Sequence, residues 1–220
     1  MDIVRISFTG KIKDTGKVFD TTHADVAKKA NIYNEHLTYG PTPMIIGDKR
    51  LIVGLENALE KMKPNESMTI EIAPKEAFGD RDPELVKLVP LQVFKTNGVD
   101  PKPGMMVVLE NNLPGKIQSV SSGRVRVDFN HELAGKTLIY DLKLEEKITD
   151  EKETVKALFE MVFPQMPTTE LKVKKTEKDI EIVLPKDCTK LQDLQARKIT
   201  LINHIRKYAG LDKIRITEEY

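Results

Sequence analysis

The side chains that could carry covalent chemistry are few in this sequence, and they are not gathered. His23, His36, His131 and His204 are scattered, with no i, i+4 pair and no cysteine cluster at metal-ligand spacing. There is no glycine-rich phosphate loop, no Ser-His-Asp set and no pair of carboxylates placed for acid–base work. What stands out instead is a series of rings and apolar side chains: Phe8, Phe19 beside Asp20, Ala77-Phe78-Gly79, Asn130-His131-Glu132-Leu133-Ala134-Gly135 and Tyr140. Such residues bind by shape and a few hydrogen bonds, and the expectation is a site with no metal and no cofactor. Taken one at a time they read differently. Phe8, Phe19, Leu55 and Tyr140 sit at strand or helix spacing and read as core, Asp20 as a turn or cap residue, and His131 as a hydrogen-bonded loop histidine.

The elements that must position these residues follow from the apolar pattern. Val4, Ile6 and Phe8 alternate with Arg5 and Ser7, and Asp14-Thr15-Gly16 turns the chain into a short strand ending at Val18-Phe19-Asp20. Thr21 to Leu37 reads as a surface excursion with a short helix through Val26, Ala30 and Tyr33, and Tyr39-Gly40-Pro41-Thr42-Pro43 halts any helix. In Leu51 to Met62 the residues Leu55, Ala58, Leu59 and Met62 form one stripe, giving the clearest helix of the chain. Met68, Ile70 and Ile72 alternate as a strand that lies against it. The strand Thr137 to Glu145 has the same alternation, in Leu138, Tyr140, Leu142 and Leu144, so one sheet domain continues on both sides of an interruption.

The interruption has a texture of its own. Val86 to Val89 is a short strand, Pro90 to Phe94 one helical turn, and Met105–Glu110, Lys116–Val120 and Arg124–Phe129 are strands. The loop Asn111-Asn112-Leu113-Pro114-Gly115 and the turn Ser121-Ser122-Gly123 connect them. In a strand, successive side chains face opposite sides, so the apolar run Met105-Met106-Val107-Val108-Leu109 supplies both faces of a small sheet. Either Leu91, Val93 and Phe94 cover the second face, or an adaptable methionine-rich surface is left for varied unfolded chains. After Lys147 the charged stretch Thr149-Asp150-Glu151-Lys152-Glu153 reads as a connector. Beyond it come a helix Val155–Val162, a hairpin of Leu171–Lys175 and Ile180–Leu184 around Lys178, a one-sided helix Lys190–Ala209 closed by Gly210, and a last strand at Ile214 and Ile216.

At 220 residues the chain is long enough to bury a real core. With 35 Lys plus Arg against 34 Asp plus Glu, the net charge of +1 provides no field to steer nucleic acid or an anionic membrane. The charged fraction, 31%, is of the kind found in heat-adapted proteins. Cys188 is the single cysteine, which excludes an internal disulfide and fits a reducing cytoplasm, and it reads as a small buried hydrophobe. Met1 to Arg5 lacks the pattern of an export signal, and no apolar run approaches the roughly 20 residues that span a bilayer.

In order, Phe8-Thr9-Gly10, Gly16-Lys17-Val18-Phe19-Asp20, Leu51-Ile52-Val53-Gly54-Leu55-Glu56, Ala77-Phe78-Gly79 and Leu138-Ile139-Tyr140-Asp141 resemble the motifs of FKBP-type peptidyl-prolyl cis-trans isomerases (rotamases). Each is short, and their order and spacing together are what is specific. The interruption and its return through Asn130 to Gly135 resemble the insert-in-flap domain of the SlyD subgroup, and the C-terminal third resembles archaeal long-type members by architecture. The resemblance implies an α+β fold: an antiparallel half-barrel sheet wrapped on one helix, an inserted small β domain and a C-terminal α/β module. It divides the chain into an isomerase domain of 1–84 plus 130–148, an inserted domain of 85–129 and a module of 150–220.

The resemblance also implies a basin for an X-Pro bond. Asp20, Ile52, Phe78 and Tyr140 fall on its catalytic positions. Phe8, Phe19, Leu51 and Leu55, with His131 and Leu133 on the return, fall on its substrate-binding positions, and Leu91, Phe94, Met105 and Met106 are expected to hold clients on the insert. The family usually has tyrosine where this chain has Phe8 and Phe78, and tryptophan where it has Leu55. The expected function is therefore a cytoplasmic isomerase that accelerates proline-limited folding, with chaperone activity in the insert. The alternative is a client-binding chaperone with a weak or vestigial pocket. Unfolded proteins are the expected partners, with no nucleic acid and no membrane, and a homodimer is expected through the one-sided C-terminal helix.

Overall fold

The computed structural model describes residues 1–108, 113–175 and 179–219. Leu109 and Glu110 of the expected strand, Asn111 and Asn112 of the loop after it, and the Lys178 turn lie outside the described residues. In chain order the elements are β1 (Asp2–Ile12), β2 (Val18–Thr21), α1 (Ala24–Lys29), β3 (Thr42–Ile46), α2 (Val53–Lys61), β4 (Ser67–Ile72), β5 (Val86–Pro90), α3 (Leu91–Thr96), β6 (Met106–Val108), β7 (Pro114–Ser121), β8 (Arg124–Asp128) and β9 (Leu138–Ile148). Then follow α4 (Glu151–Val162), β10 (Lys172–Lys175), β11 (Asp179–Leu184), α5 (Leu194–His204) and β12 (Lys213–Glu218). They group into two compact units, one of Met1–Ile72 with Leu138–Tyr220 and one of Ala73–Thr137.

The first unit is built on β1, which pairs antiparallel with β2, β3 and β9, while β9 in turn pairs with β4. β3 is a strand that the sequence pattern hides, because Pro41 and Pro43 read as a breaker. Pro43 stands opposite Arg5 on an edge strand, where a residue without an N–H is tolerated. α2 lies across this sheet with Leu55 and Leu59 buried. Gly54 allows the close approach, since a Cβ there would stand 2.5 Å from Cγ2 of Ile72 on β4.

The C-terminal segment is docked on the other side of the same sheet. Ile3 of β1 and Ile45 of β3 share one buried cluster with Val155, Leu158 and Phe159 of α4. Beside that cluster an Arg5 Nη1 donates to Glu160 at 2.9 Å. The charged stretch after Lys147 is accordingly not a loose connector. β9 runs to Ile148, and the Asp150 side chain accepts from the backbone N–H groups of Lys152 and Glu153, capping a helix that begins at Glu151.

β11 pairs antiparallel with β10 and parallel with β12. The long helix starts at Leu194 instead of Lys190, and its last turn, Ile205–Ala209, is π-helical before Gly210 closes it in the left-handed region at φ 66°. Its apolar stripe is covered within the chain: Leu194, Leu201 and Ile205 belong to the cluster of α4, and Cys188 is buried there too. Ile199 is a large apolar side chain that α5 leaves exposed.

The second unit holds the sheet β5-β8-β7-β6. Val107, Ile117, Val125 and Val127 turn one face inward, and Phe94 of α3 fills the space over them.

Candidate active site

In the first unit three rings meet. Phe8 on β1 and Tyr140 on β9 lie 5.9 Å apart between centroids, and Phe19 on β2 meets Tyr140 edge-on at 5.7 Å. The strands bring them together because Gly10 pairs with both Asp20 and Tyr140. A Cβ at Gly10 would stand 2.6 Å from Cζ of Phe19 and 3.1 Å from Cε1 of Tyr140, so only glycine lets both rings lie on the strand. Gly10 is a site residue missed as such in the sequence, although a glycine in mid-strand signals a close approach. The hairpin is locked beside the rings. The Phe8 N–H donates to Thr22 Oγ1 at 2.9 Å, and the Thr22 N–H donates to the Phe8 carbonyl at 3.0 Å.

Two acids tune this cluster. Desolvation pushes the Tyr140 phenol up to about 12, and the nearby Asp20 charge adds to the rise. The hydroxyl therefore stays protonated and able to donate. Asp20 as a residue is largely open to solvent, yet protein packed around its carboxyl raises its pKa above the ordinary value, against the lowering effect of the Thr21 backbone N–H that it accepts.

Leu55 faces the sheet at 5% exposure, and Leu51 and Ile52 are half-buried at the start of α2. Ile52 is the N-cap in extended geometry, φ −65° and ψ 144°, with no side-chain cap. Its carbonyl accepts from Leu55 and Glu56, while its own N–H has no protein acceptor among the described residues. A recess of about 340 Å³ at the far end of α2, around Leu59, Met62 and Leu144, includes none of the expected site positions.

The second unit carries the remaining expected positions. Phe78 and His131 stack with ring centroids 4.2 Å apart and planes 2° from parallel. His131 Nδ1 accepts from the Leu133 N–H at 3.1 Å, and the Gly135 N–H donates to the Gly79 carbonyl at 2.8 Å, so the two ends of the interruption are tied together. Leu133 is buried at 8% exposure.

On the insert the apolar run divides by strand geometry. Val107 points inward, whereas its neighbours Met106 and Val108 are 61% and 64% exposed, and Met105, just before the strand, is 40% exposed. Phe94, at 3% exposure, is core, and the half-buried Leu91 packs beside it. The helix covers the face to which Val107 points, and the other face keeps its apolar residues in solvent. Val93, Phe94, Asn97 and Val99, with Met105 to Val108, line a groove of about 250 Å³.

Comparison with known proteins agrees with this architecture. The family model described as "FKBP26, IF domain" matches residues 87–133, and that described as "FKBP26_C-terminal" matches residues 151–220. The short-type peptidyl-prolyl cis-trans isomerase of Methanocaldococcus jannaschii is 36% identical over 143 residues, covering 65% of this chain and 89% of that protein. The FKBP-type isomerase SlyD of Helicobacter pylori is 35% identical over 119 residues, covering 52% of this chain and 63% of that protein. Among solved structures, the three FKBP domains of wheat FKBP73 match with a TM-score of 0.35 at 17% identity, over 68% of this chain and 39% of that one, a likeness that adds no weight. A relative 36% identical to this chain and covered over 89% of its own length settles the family: the chain belongs to the FKBP-type peptidyl-prolyl cis-trans isomerases, in the SlyD-like group that carries an insert-in-flap domain.

Proposed function

We propose that this peptidyl-prolyl cis-trans isomerase turns its X-Pro bond against the ring cluster of Phe8, Phe19 and Tyr140, with Leu51, Ile52 and Leu55 of the α2 region as the facing wall. The seating of Phe19 and Tyr140 on Gly10 is the observation that carries this reading. An X-Pro amide resists rotation because its C–N bond has partial double-bond character, with a barrier of roughly 18–20 kcal/mol. Twisting the bond by about 90° breaks the conjugation and leaves a less polar carbonyl. An apolar basin that holds the twisted form more tightly than either planar isomer lowers the barrier by that difference in binding.

Within this reading the free Ile52 N–H takes the carbonyl before the proline, and Asp20 with the protonated Tyr140 orders the polar edge of the basin. No proton is transferred. On the second unit, Phe78, His131 and Leu133 are assigned substrate contacts on the flap, and Leu91, Phe94, Met105 and Met106 hold unfolded clients, with Phe94 forming the floor of the groove. Unfolded proteins containing X-Pro bonds are the partners. The test is proline-limited refolding with the intact protein and with Phe19→Ala: about a tenfold loss in the variant is expected, and an undiminished rate overturns the site.

We further read the chain in three functional parts, 1–84 with 130–148, 85–129 and 150–220. The matches to 87–133 and 151–220 support this, although spatial grouping draws its lines at Ala73 and Thr137. A homodimer through 150–220 is proposed on the exposed Ile199 alone, and a monomer mass by sedimentation at micromolar concentration rules it out. A cytoplasmic setting is proposed on Cys188, a buried thiol that desolvation pushes up to about 11, and cell fractionation tests it. No described helix is long and apolar enough to cross a membrane, and the net charge of +1 supports no nucleic-acid role.

A further inference from the structure

The loop Gly47–Arg50 joins β3 to the residues that open α2, so whatever holds the loop also aims Leu51 and Ile52. Its backbone does not hold itself cheaply. Gly47 has φ 89°, and Lys49, a residue with a side chain, has φ 57° in the left-handed region. One tether comes from α2 itself, where Glu56 Oε1 accepts from the Gly47 N–H at 2.6 Å. The other comes from the far end of the chain. Lys207 Nζ donates to Asp48 Oδ1 at 2.5 Å, and Arg50 Nε stands 2.5 Å from Oδ2 of the same carboxylate. The nearby Tyr208 hydroxyl adds to the lowering of the Asp48 pKa.

The π-helical turn Ile205–Ala209 carries both Lys207 and Tyr208 to this one carboxylate. Lys207 also lies 4.7 Å from the Tyr208 ring centroid. The Asp48 side chain is 9% exposed, but what covers it is its own cation partners at the surface and not a deep interior. These partners, the Lys207 hydrogen bond first, hold its carboxyl well below the usual carboxylate range. Next to them His204 has a buried Nδ1 with no partner among the described residues, and desolvation followed by the Arg50 charge lowers its pKa. It adds no competing cation at neutral pH.

We propose that Lys207 is a positioning residue for the isomerase site: by fixing the Asp48 carboxylate it holds the loop that presents Ile52, so the C-terminal segment sets the aim of the substrate-binding N–H. This rests on the assignment of Ile52 as the donor to the substrate carbonyl. Lys207 touches no substrate. Its removal weakens binding of the planar and twisted forms together, which raises KM more than it lowers kcat. The coupling runs through surface charges and so fades with salt.

The experiment measures isomerisation of a short X-Pro peptide by the full chain at low ionic strength for Lys207→Ala, Lys207→Arg, Ile52→Pro and Ile52→Ala, with melting temperatures alongside. Lys207→Ala is expected to lose about three- to tenfold in kcat/KM, mainly through KM, and to move the Ile52 amide resonance. Lys207→Arg restores both, and the loss shrinks at about 1 M salt. Ile52→Pro, which removes the N–H, is expected to lose more than Ile52→Ala. If Ile52→Pro loses activity while Lys207→Ala stays within about twofold and leaves the Ile52 resonance in place, the inference about Lys207 fails by itself. If Ile52→Pro keeps the activity of Ile52→Ala, the assignment of Ile52 fails and takes the inference with it.

Discussion

Phe19 and Tyr140 meet edge-on, 5.7 Å between centroids and 82° between planes, over the bare α-carbon of Gly10. Edge-to-face contact suits the positive edge and negative face of aromatic rings, and it fixes the floor on which a proline ring would rest. Gly10→Ala puts a methyl group 2.6 Å from Phe19 Cζ. Moving a packed ring is expected to cost about 1–3 kcal/mol of stability and to lower peptide isomerisation about tenfold. Thermal unfolding and a peptide assay check both; normal activity in the variant would show that the rings are only core.

Asp20 gives a prediction of opposite sign for stability and activity. Its folded pKa is raised above 3.8, so the folded state favours the protonated acid. The stability this contributes is present below the unfolded pKa and is lost as pH rises through the folded value. At neutral pH the ionised carboxylate is therefore a cost. Asp20→Asn is expected to melt higher than the parent at pH 7 and to isomerise more slowly, and a lower melting temperature at pH 7 would contradict the account.

Tyr140 sets the alkaline side. Its phenol titrates at about 12 when folded against 10.0 as a free group, so the native state keeps a proton that the unfolded chain releases. Stability from this group is complete below pH 10 and falls between about pH 10 and about 12. Melting curves of Tyr140→Phe are expected to lack that limb, and an identical alkaline profile would show that another group is responsible.

The C-terminal segment is a structural partner of the sheet, and cutting it away should show this. A chain ending at Ile148 uncovers Ile3 at 5% and Ile45 at 3% exposure and leaves Arg5 without Glu160. Exposing that apolar area costs about 25 cal/mol per Å², so the truncated form is expected to melt several degrees lower and to aggregate. Unchanged melting of residues 1–148 would mean that the docking contributes nothing.

On the insert, glutamates at Met106 and Val108 place charge on side chains that are 61% and 64% exposed. Folding should tolerate them, because Val107 and Phe94 hold the core. Acceleration of protein refolding is expected to fall more than turnover of a short peptide, since an unfolded client can engage two binding surfaces at once and gain from their linkage. Equal loss in the two assays would argue against client capture by this face.

Much of this was legible in local patterns. The alternation of Val4, Ile6 and Phe8, the stripe of Leu55, Leu59 and Met62, and the Ser122-Gly123 turn of the insert each specify an element on their own, whereas Pro114 and Gly115, expected in a loop, belong to β7. The ordered motifs named the positions whose rings the structure brings together at Phe8, Phe19 and Tyr140. What escaped depends on long-range contact. β3 is hidden because Pro43 within it is tolerable only on an edge strand. Asp150 reads as a linker residue until the helix it caps is seen to dock on Ile3 and Ile45. Nothing near Asp48 or Lys207 in the sequence announces that they meet at 2.5 Å.

The central claim is that catalysis uses an apolar basin with the Ile52 N–H as its hydrogen-bond donor, and a matched pair of variants tests it most directly. Ile52 already has φ −65°, the angle that proline imposes, so Ile52→Pro removes the N–H while keeping the φ of residue 52, and Ile52→Ala trims the side chain while keeping the N–H. Rates of cis–trans exchange of a short X-Pro peptide, measured by NMR with each variant, are expected to show a loss of about tenfold or more in Ile52→Pro relative to Ile52→Ala. Equal rates in the two variants would contradict the account.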